Sequence, residues 1–158
     1  MGIERVKNYL KKYNKEDSIY EFDVSSATVP LAAKALGVEE SRIAKTLAFA
    51  TKDGCLLVVA AGDVKVDNKL FKKKFNIKAR FLDAESVLRY TGYPIGGVTP
   101  FDIDSSCEIY ADVSLKRFET IFPACGTANS AVKLTPDELF EIAKCKEWVE
   151  VCTVVSDL

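Results

Sequence analysis

The chain has 158 residues, 48% of them apolar and 28% charged, with a formal net charge of −1, which is the size and balance of one globular domain and fits neither a disordered chain nor a membrane protein. There is no histidine, so Ser-His-Asp and Cys-His pairs, His-bearing zinc sites and imidazole proton shuttles are all excluded. Any chemistry falls to lysine, carboxylates, hydroxyls, thiols, backbone groups or the substrate itself.

Ile3, Val6, Leu10 and Tyr13 recur at helical spacing and predict an amphipathic helix over 3–13, followed by a polar bend through Asn14–Ser18 and a strand at Ile19–Val24. Ser25-Ser26-Ala27-Thr28-Val29-Pro30 has the hydroxyls and proline of a helix start, with Gly37 placed to end the helix. A strand over 42–51, a Lys52-Asp53-Gly54 turn and a second strand over 55–61 predict a hairpin. Asp67 and Asp83 are expected to cap helices reaching Phe75 and Tyr90, with a short strand over 79–82 between them. Strands are expected at 107–113, 119–124 and 131–134, then a helix to Lys144 opened by the capping box Thr135-Pro136-Asp137-Glu138, and a final strand over 148–154. With no repeat, linker or low-complexity tract, residues 1–158 read as a single α+β domain on a mixed, mostly antiparallel sheet.

Lys45 is the leading functional candidate. In Arg42-Ile43-Ala44-Lys45-Thr46-Leu47-Ala48-Phe49, two-residue alternation places its ammonium among Ile43, Leu47 and Phe49. A cation in that setting loses hydration worth several kcal/mol unless a partner or anionic ligand compensates.

Three further segments stand out. Thr91-Gly92-Tyr93-Pro94-Ile95-Gly96-Gly97-Val98-Thr99-Pro100 holds three glycines and two prolines in ten residues. It could bring backbone amides close to a ligand, although by itself it fits a tight connection better. Ile121-Phe122-Pro123-Ala124-Cys125-Gly126-Thr127-Ala128-Asn129-Ser130 joins a strand to a turn whose short polar groups could orient a small substrate, but such residues also form ordinary turns. Lys69, Lys72, Lys73, Lys74, Lys78 and Arg80 lie in a twelve-residue stretch without an acid, either a solvated helix face or a phosphate-binding patch; Phe71 and Phe75 within it read as core anchors. The five cysteines are odd in number, scattered and never spaced Cys-x-x-Cys, so most read as reduced core residues. Met1-Gly2-Ile3-Glu4 carries no signal-peptide core, and the default location is cytoplasmic.

Taken in order, Arg42-Ile43-Ala44-Lys45-Thr46-Leu47, the 91–100 block with its Gly96-x-x-x-Pro100 core, and Ala124-Cys125-Gly126 resemble the YbaK/prolyl-tRNA synthetase-associated domain family over nearly the whole chain. The resemblance implies a barrel-like mixed sheet with flanking helices. It also implies a trans-editing deacylase that hydrolyses the ester between tRNA and a wrongly attached small amino acid, with no metal or organic cofactor. Its partners would be mischarged tRNA and, further, an aminoacyl-tRNA synthetase, with no DNA and no membrane. Carried over by position, Lys45, Gly96 and Gly126 become catalytic; Thr28, Thr46, Gly97, Val98, Pro100, Cys125 and Asn129 become substrate-binding; and Lys69, Lys72, Lys73 and Lys74 become the tRNA contact. Cys125-Gly126 stands where many relatives have Gly-Gly, and Ala131 where the cysteine-removing branch has an acid. These departures argue against a cysteine-specific pocket and leave alanine, serine, threonine or a small non-protein amino acid. A non-catalytic module binding tRNA or a synthetase is the alternative; a thiol-dependent redox or metal protein is disfavoured by the cysteine spacing. The whole reading requires the Lys45 amine to lie in a small cavity beneath the two loops rather than in bulk solvent.

Overall fold

The computed structural model describes residues 2–155. Helix α1 (Gly2–Lys11) buries Val6 and Leu10. After a 3-10 turn at Glu16–Ser18 comes the short strand β1 (Ile19–Glu21). Helix α2 (Val29–Leu36) is capped by the Thr28 side chain, which accepts from the Leu31 N–H, and ends where Gly37 takes φ +70°. The predicted hairpin forms as β2 (Ile43–Ala50) against β3 (Cys55–Ala61), in register from Ala44↔Ala61 to Ala50↔Cys55. Strand β4 (Val64–Val66) follows.

Asp67 caps α3 (Asn68–Phe75) by accepting from the Lys69 and Leu70 N–H groups, and Asp83 caps α4 (Ala84–Thr91) by accepting from Ser86 N–H. Strand β5 (Cys107–Asp112), a 3-10 turn at Val113–Arg117, β6 (Phe122–Pro123) and β7 (Ser130–Val132) come next. The capping box opens α5 (Pro136–Ile142), with Thr135 Oγ1 accepting from Glu138 N–H at 3.1 Å and Glu138 accepting from Thr135 N–H at 2.9 Å. Strands β8 (Trp148–Val149) and β9 (Cys152–Val154) close the described chain.

A five-stranded sheet in the order β6-β2-β3-β5-β8 carries the core, flanked by two-stranded sheets β1-β7 and β4-β9. The fold is the expected single α+β domain on mixed sheets, but no sheet among the described residues closes into a barrel. Antiparallel pairs form the hairpin and both small sheets, whereas β2–β6, β3–β5 and β5–β8 are parallel. β3 is buried along its whole length, as a central strand covered on both faces must be. A smaller apolar cluster, Ala32, Ala33, Ile43, Phe122 and Ala131, fastens α2 to the β2–β6 corner.

Several expected strands are shorter or divided. The 119–124 run pairs only at Phe122 and Pro123, because proline has no N–H with which to continue a ladder. The 79–82 run makes a single bridge, Phe81↔Phe49, and the 19–24 strand stops at Glu21. The 148–154 run splits between two sheets: the buried Asp112 carboxylate accepts from Val151 N–H at 2.9 Å and so redirects the chain between β8 and β9. Helix α5 ends at Ile142 instead of Lys144, which has φ +57°. Cys55 and Cys107, registered side by side on β3 and β5, form a disulfide, while Cys125, Cys145 and Cys152 are free and buried, so three of the five cysteines match the reduced expectation.

Candidate functional site

Strand β2 has β3 along one edge and an interrupted set of neighbours along the other. β6 meets it at Ile43 and Ala44, while at the far end Ala50 N–H donates to the Arg80 carbonyl at 2.8 Å and Leu82 N–H donates to the Ala48 carbonyl at 3.0 Å. Since Ala48 and Ala50 turn their main-chain groups outward, two-residue alternation turns those of Thr46 outward as well. Among the described residues no strand bridge meets Thr46 on that side.

A cavity of about 260 Å³ opens at this gap. Its floor is β2 from Ile43 to Ala48, and its walls are the start of α2, the Phe81–Leu82 segment, the Ile95–Val98 turn, and Phe122 with Ala124. Two hydroxyls of the lining residues, Ser26 Oγ on the wall and Thr46 Oγ1 on the floor, are buried without a hydrogen-bond partner among the described residues. Buried hydroxyls left unpaired cost about 1–3 kcal/mol each.

Lys45 lines the same cavity and is half-buried; its Nζ donates to the Val64 carbonyl. The amine is therefore held inside the fold, not in bulk solvent, and its hydrogen bond is to the start of β4 rather than to either glycine loop. Burial lowers its pKa from the ordinary lysine value, partly offset by the nearby Cys152 and Asp63. Asp63 is itself paired with Arg117 through two hydrogen bonds of 3.0 and 2.6 Å.

The glycine loops meet each other behind the cavity. Gly96 lines it with φ +94°, and a Cβ there would lie 3.0 Å from the Ala27 methyl. Gly97 packs on the backbone of Thr127 instead. Ser26 N–H donates to the Ala128 carbonyl and Phe22 N–H to the Asn129 carbonyl, lacing the 124–130 loop to the segment that leads into α2.

Of the residues singled out in the sequence, Lys45, Thr46, Gly96, Val98 and Thr28 converge on the cavity. Gly97, Pro100, Cys125, Gly126 and Asn129 do not line it. Gly126, with φ +91°, is held against the Tyr93 ring, where a Cβ would come within 2.9 Å, and Asn129 Nδ2 donates to the Phe22 carbonyl. Cys125 is fully buried and burial pushes its thiol well above the ordinary value; burial likewise pushes Cys145 and Cys152 up to about 12. These thiols stay protonated near neutral pH and are poor nucleophiles. Lys69, Lys72, Lys73 and Lys74 stand exposed on α3, outside the cavity, with Lys74 paired to Glu147 at 2.6 Å. Sequence reasoning missed Ser26 and Phe81 as lining residues: the first was absorbed into a helix-start signal, and the second into a short apolar run.

The family model for the aminoacyl-tRNA editing domain matches residues 24–142, a span that contains the whole cavity lining. The chain belongs to the aminoacyl-tRNA editing domain family. Within that family it is 50% identical over 153 residues to the uncharacterized protein YwhH of Bacillus subtilis (strain 168), covering 96% of this chain and 98% of that one. It is 27% identical over 138 residues to EbsC of Enterococcus faecalis, provisionally named a Cys-tRNA(Pro)/Cys-tRNA(Cys) deacylase, covering 85% and 84% of the two chains. A crystal structure provisionally described as a trans-editing enzyme for prolyl tRNA synthetase superposes with a TM-score of 0.86 at 25% identity, over 96% of this chain and 97% of that one. The editing-domain fold is thus spanned nearly end to end. Among the described residues no helix is long and apolar enough to cross a membrane.

Proposed function

We infer that this editing domain is a free-standing deacylase, which hydrolyses the ester linking a small amino acid to the wrong tRNA in the cytoplasm. The observation that carries this reading is the meeting of Lys45, Thr46 and Gly96 on one cavity of about 260 Å³. An engineered apolar cavity of about 150 Å³ holds a benzene ring, so the larger space here accommodates a small side chain together with its ester.

The acyl group enters the gap beside β2. The outward main-chain N–H of Thr46 and the amide of Gly96 are the donors offered to the ester oxygen, and the unpaired Ser26 and Thr46 hydroxyls receive the polar groups of the amino acid. The Lys45 ammonium supplies positive charge to the oxyanion or to the terminal phosphate, on release from the Val64 carbonyl. Water attacks the ester carbon, the carbon–oxygen bond to the ribose breaks, and the ribose hydroxyl leaves with a proton. With no histidine in the chain, the neighbouring ribose hydroxyl or the amino group of the substrate assists the proton transfers. Lys69, Lys72 and Lys73 contact the tRNA backbone, and a synthetase that discharges wrong products is the natural partner.

The test is a panel of purified tRNAs carrying alanine, serine, threonine, cysteine and a small non-protein amino acid. Release of at least one small amino acid by the wild type, with loss of that release in Lys45→Ala, is the expected result. Release of none, with tRNA still bound, would make the protein a binding module instead.

A further inference from the structure

Phe81 is 57% exposed, an unusual setting for a large aromatic ring that also lines the cavity. One face of the ring is already occupied: it stacks on Phe49, which is fully buried, with centroids 4.7 Å apart and planes 27° from parallel. Phe49 in turn packs on Phe71 of α3 at 4.6 Å. The backbone on either side is fixed to β2 by the Arg80 and Leu82 hydrogen bonds. The ring is therefore rigidly anchored, with its outer side presented at the cavity mouth.

The surroundings narrow the occupant. Residues 68–82 contain no acid, and Lys69, Lys72, Lys73, Lys78 and Arg80 on this stretch are all exposed. A flat apolar ring at the end of a run of exposed cations matches a nucleobase attached to phosphates, since stacking is indifferent to base identity while the charges hold the backbone. Phe81 bridges to Phe49, four residues along β2 from Lys45, or about 13 Å at the usual strand rise. That separation is one an aminoacyl nucleotide spans, with its base at one end and its acyl group at the other.

We propose that Phe81 is the stacking platform for the unpaired terminal base of the RNA that carries the acyl group into the cavity. The proposal rests on the deacylase reading for the identity of the RNA, and on the anchored ring for the contact itself. Phe81 binds and positions the nucleotide; it takes no part in the bond changes.

The experiment measures equilibrium binding of uncharged tRNA with an intact 3′ nucleotide against the same tRNA with an abasic 3′ nucleotide, for wild type, Phe81→Ala, Phe81→Leu and Phe81→Tyr. Wild type is expected to bind the intact end about five-fold or more tighter, the lower bound for losing one stacked base. Phe81→Ala and Phe81→Leu should lose that preference while remaining folded at the assay temperature, and Phe81→Tyr should keep it. An unchanged preference in Phe81→Ala, full recovery by the non-aromatic Phe81→Leu, or no preference in the wild type would overturn the proposal. Release of amino acid from charged tRNA, measured in parallel, separates the two readings. A base preference lost in Phe81→Ala without wild-type release sinks the deacylase and leaves the platform, whereas wild-type release without a base preference does the reverse.

Discussion

A Cβ built on Gly97 would lie 2.7 Å from the main-chain nitrogen of Thr127, so the two glycine-bearing loops touch backbone to backbone. The contact explains why a residue that does not line the cavity still matters to its shape. Gly97 has no positive φ to demand glycine, and the constraint is steric. Gly97→Ala is expected to destabilise the fold by about 1–3 kcal/mol through overpacking and to lower deacylation more than stability alone explains, because the Gly96 turn must shift. Urea unfolding and single-turnover release on the same preparation check both parts.

Lys45→Met separates charge from packing. The ammonium is half-buried on a carbonyl and disfavoured by desolvation, so a thioether of similar reach should leave stability equal or higher. Activity should fall about 100-fold or more if the charge serves the oxyanion. Melting temperature and kcat/KM moving down together would show that the lysine is merely structural.

The unpaired hydroxyls predict a trade between stability and binding. Ser26→Ala and Thr46→Val each remove a buried oxygen that has no partner in the free protein, so each should be neutral or stabilising, by up to about 1 kcal/mol. KM for the mischarged tRNA should rise. A drop in stability with KM unchanged would locate their partners within the protein instead.

The Asp63–Arg117 pair gives a pH signature. Arg117 holds the Asp63 carboxyl below its ordinary value of 3.8, so as pH falls the unfolded chain takes up this proton first. The stabilisation is complete above the ordinary carboxylate range and is lost as pH drops through the depressed folded value. Asp63→Asn should therefore melt below wild type at pH 7, by about 2–4 °C for a contribution near 1 kcal/mol, with the gap closing toward pH 3. Because Asp63 also favours the charged form of Lys45, the variant should lower the Lys45 pKa further.

Lys72→Glu combined with Lys73→Glu should weaken tRNA binding and flatten its dependence on salt, since each lysine contacting a phosphate adds roughly one to the slope of log K against log salt. An unchanged slope would remove α3 from the RNA footprint.

Local signals in the sequence were enough for the five helices of the described residues: α1 shows in its apolar spacing, and the caps of the other four are written in single residues, Thr28, Asp67, Asp83 and Thr135, which each accept the expected N–H groups. The hairpin was equally legible from its turn and alternation. Pairing between distant segments was not. Nothing local announces that β3 runs parallel to β5, that Val64–Val66 finds Cys152–Val154, or that Asp112 divides the last strand. The same division runs through the site. Lys45 stood out because a charge broke an apolar alternation, whereas Ser26 and Phe81 gain significance only once β2, the 80–82 segment and the start of α2 surround one space.

The interruption beside β2 bears on solubility as well. A bare strand edge invites a strand from another molecule to add to it. Here only Thr46 lies uncovered between the β6 and Arg80–Leu82 contacts, too little ladder to template a foreign polypeptide. At this gap intermolecular β-assembly finds no place to start.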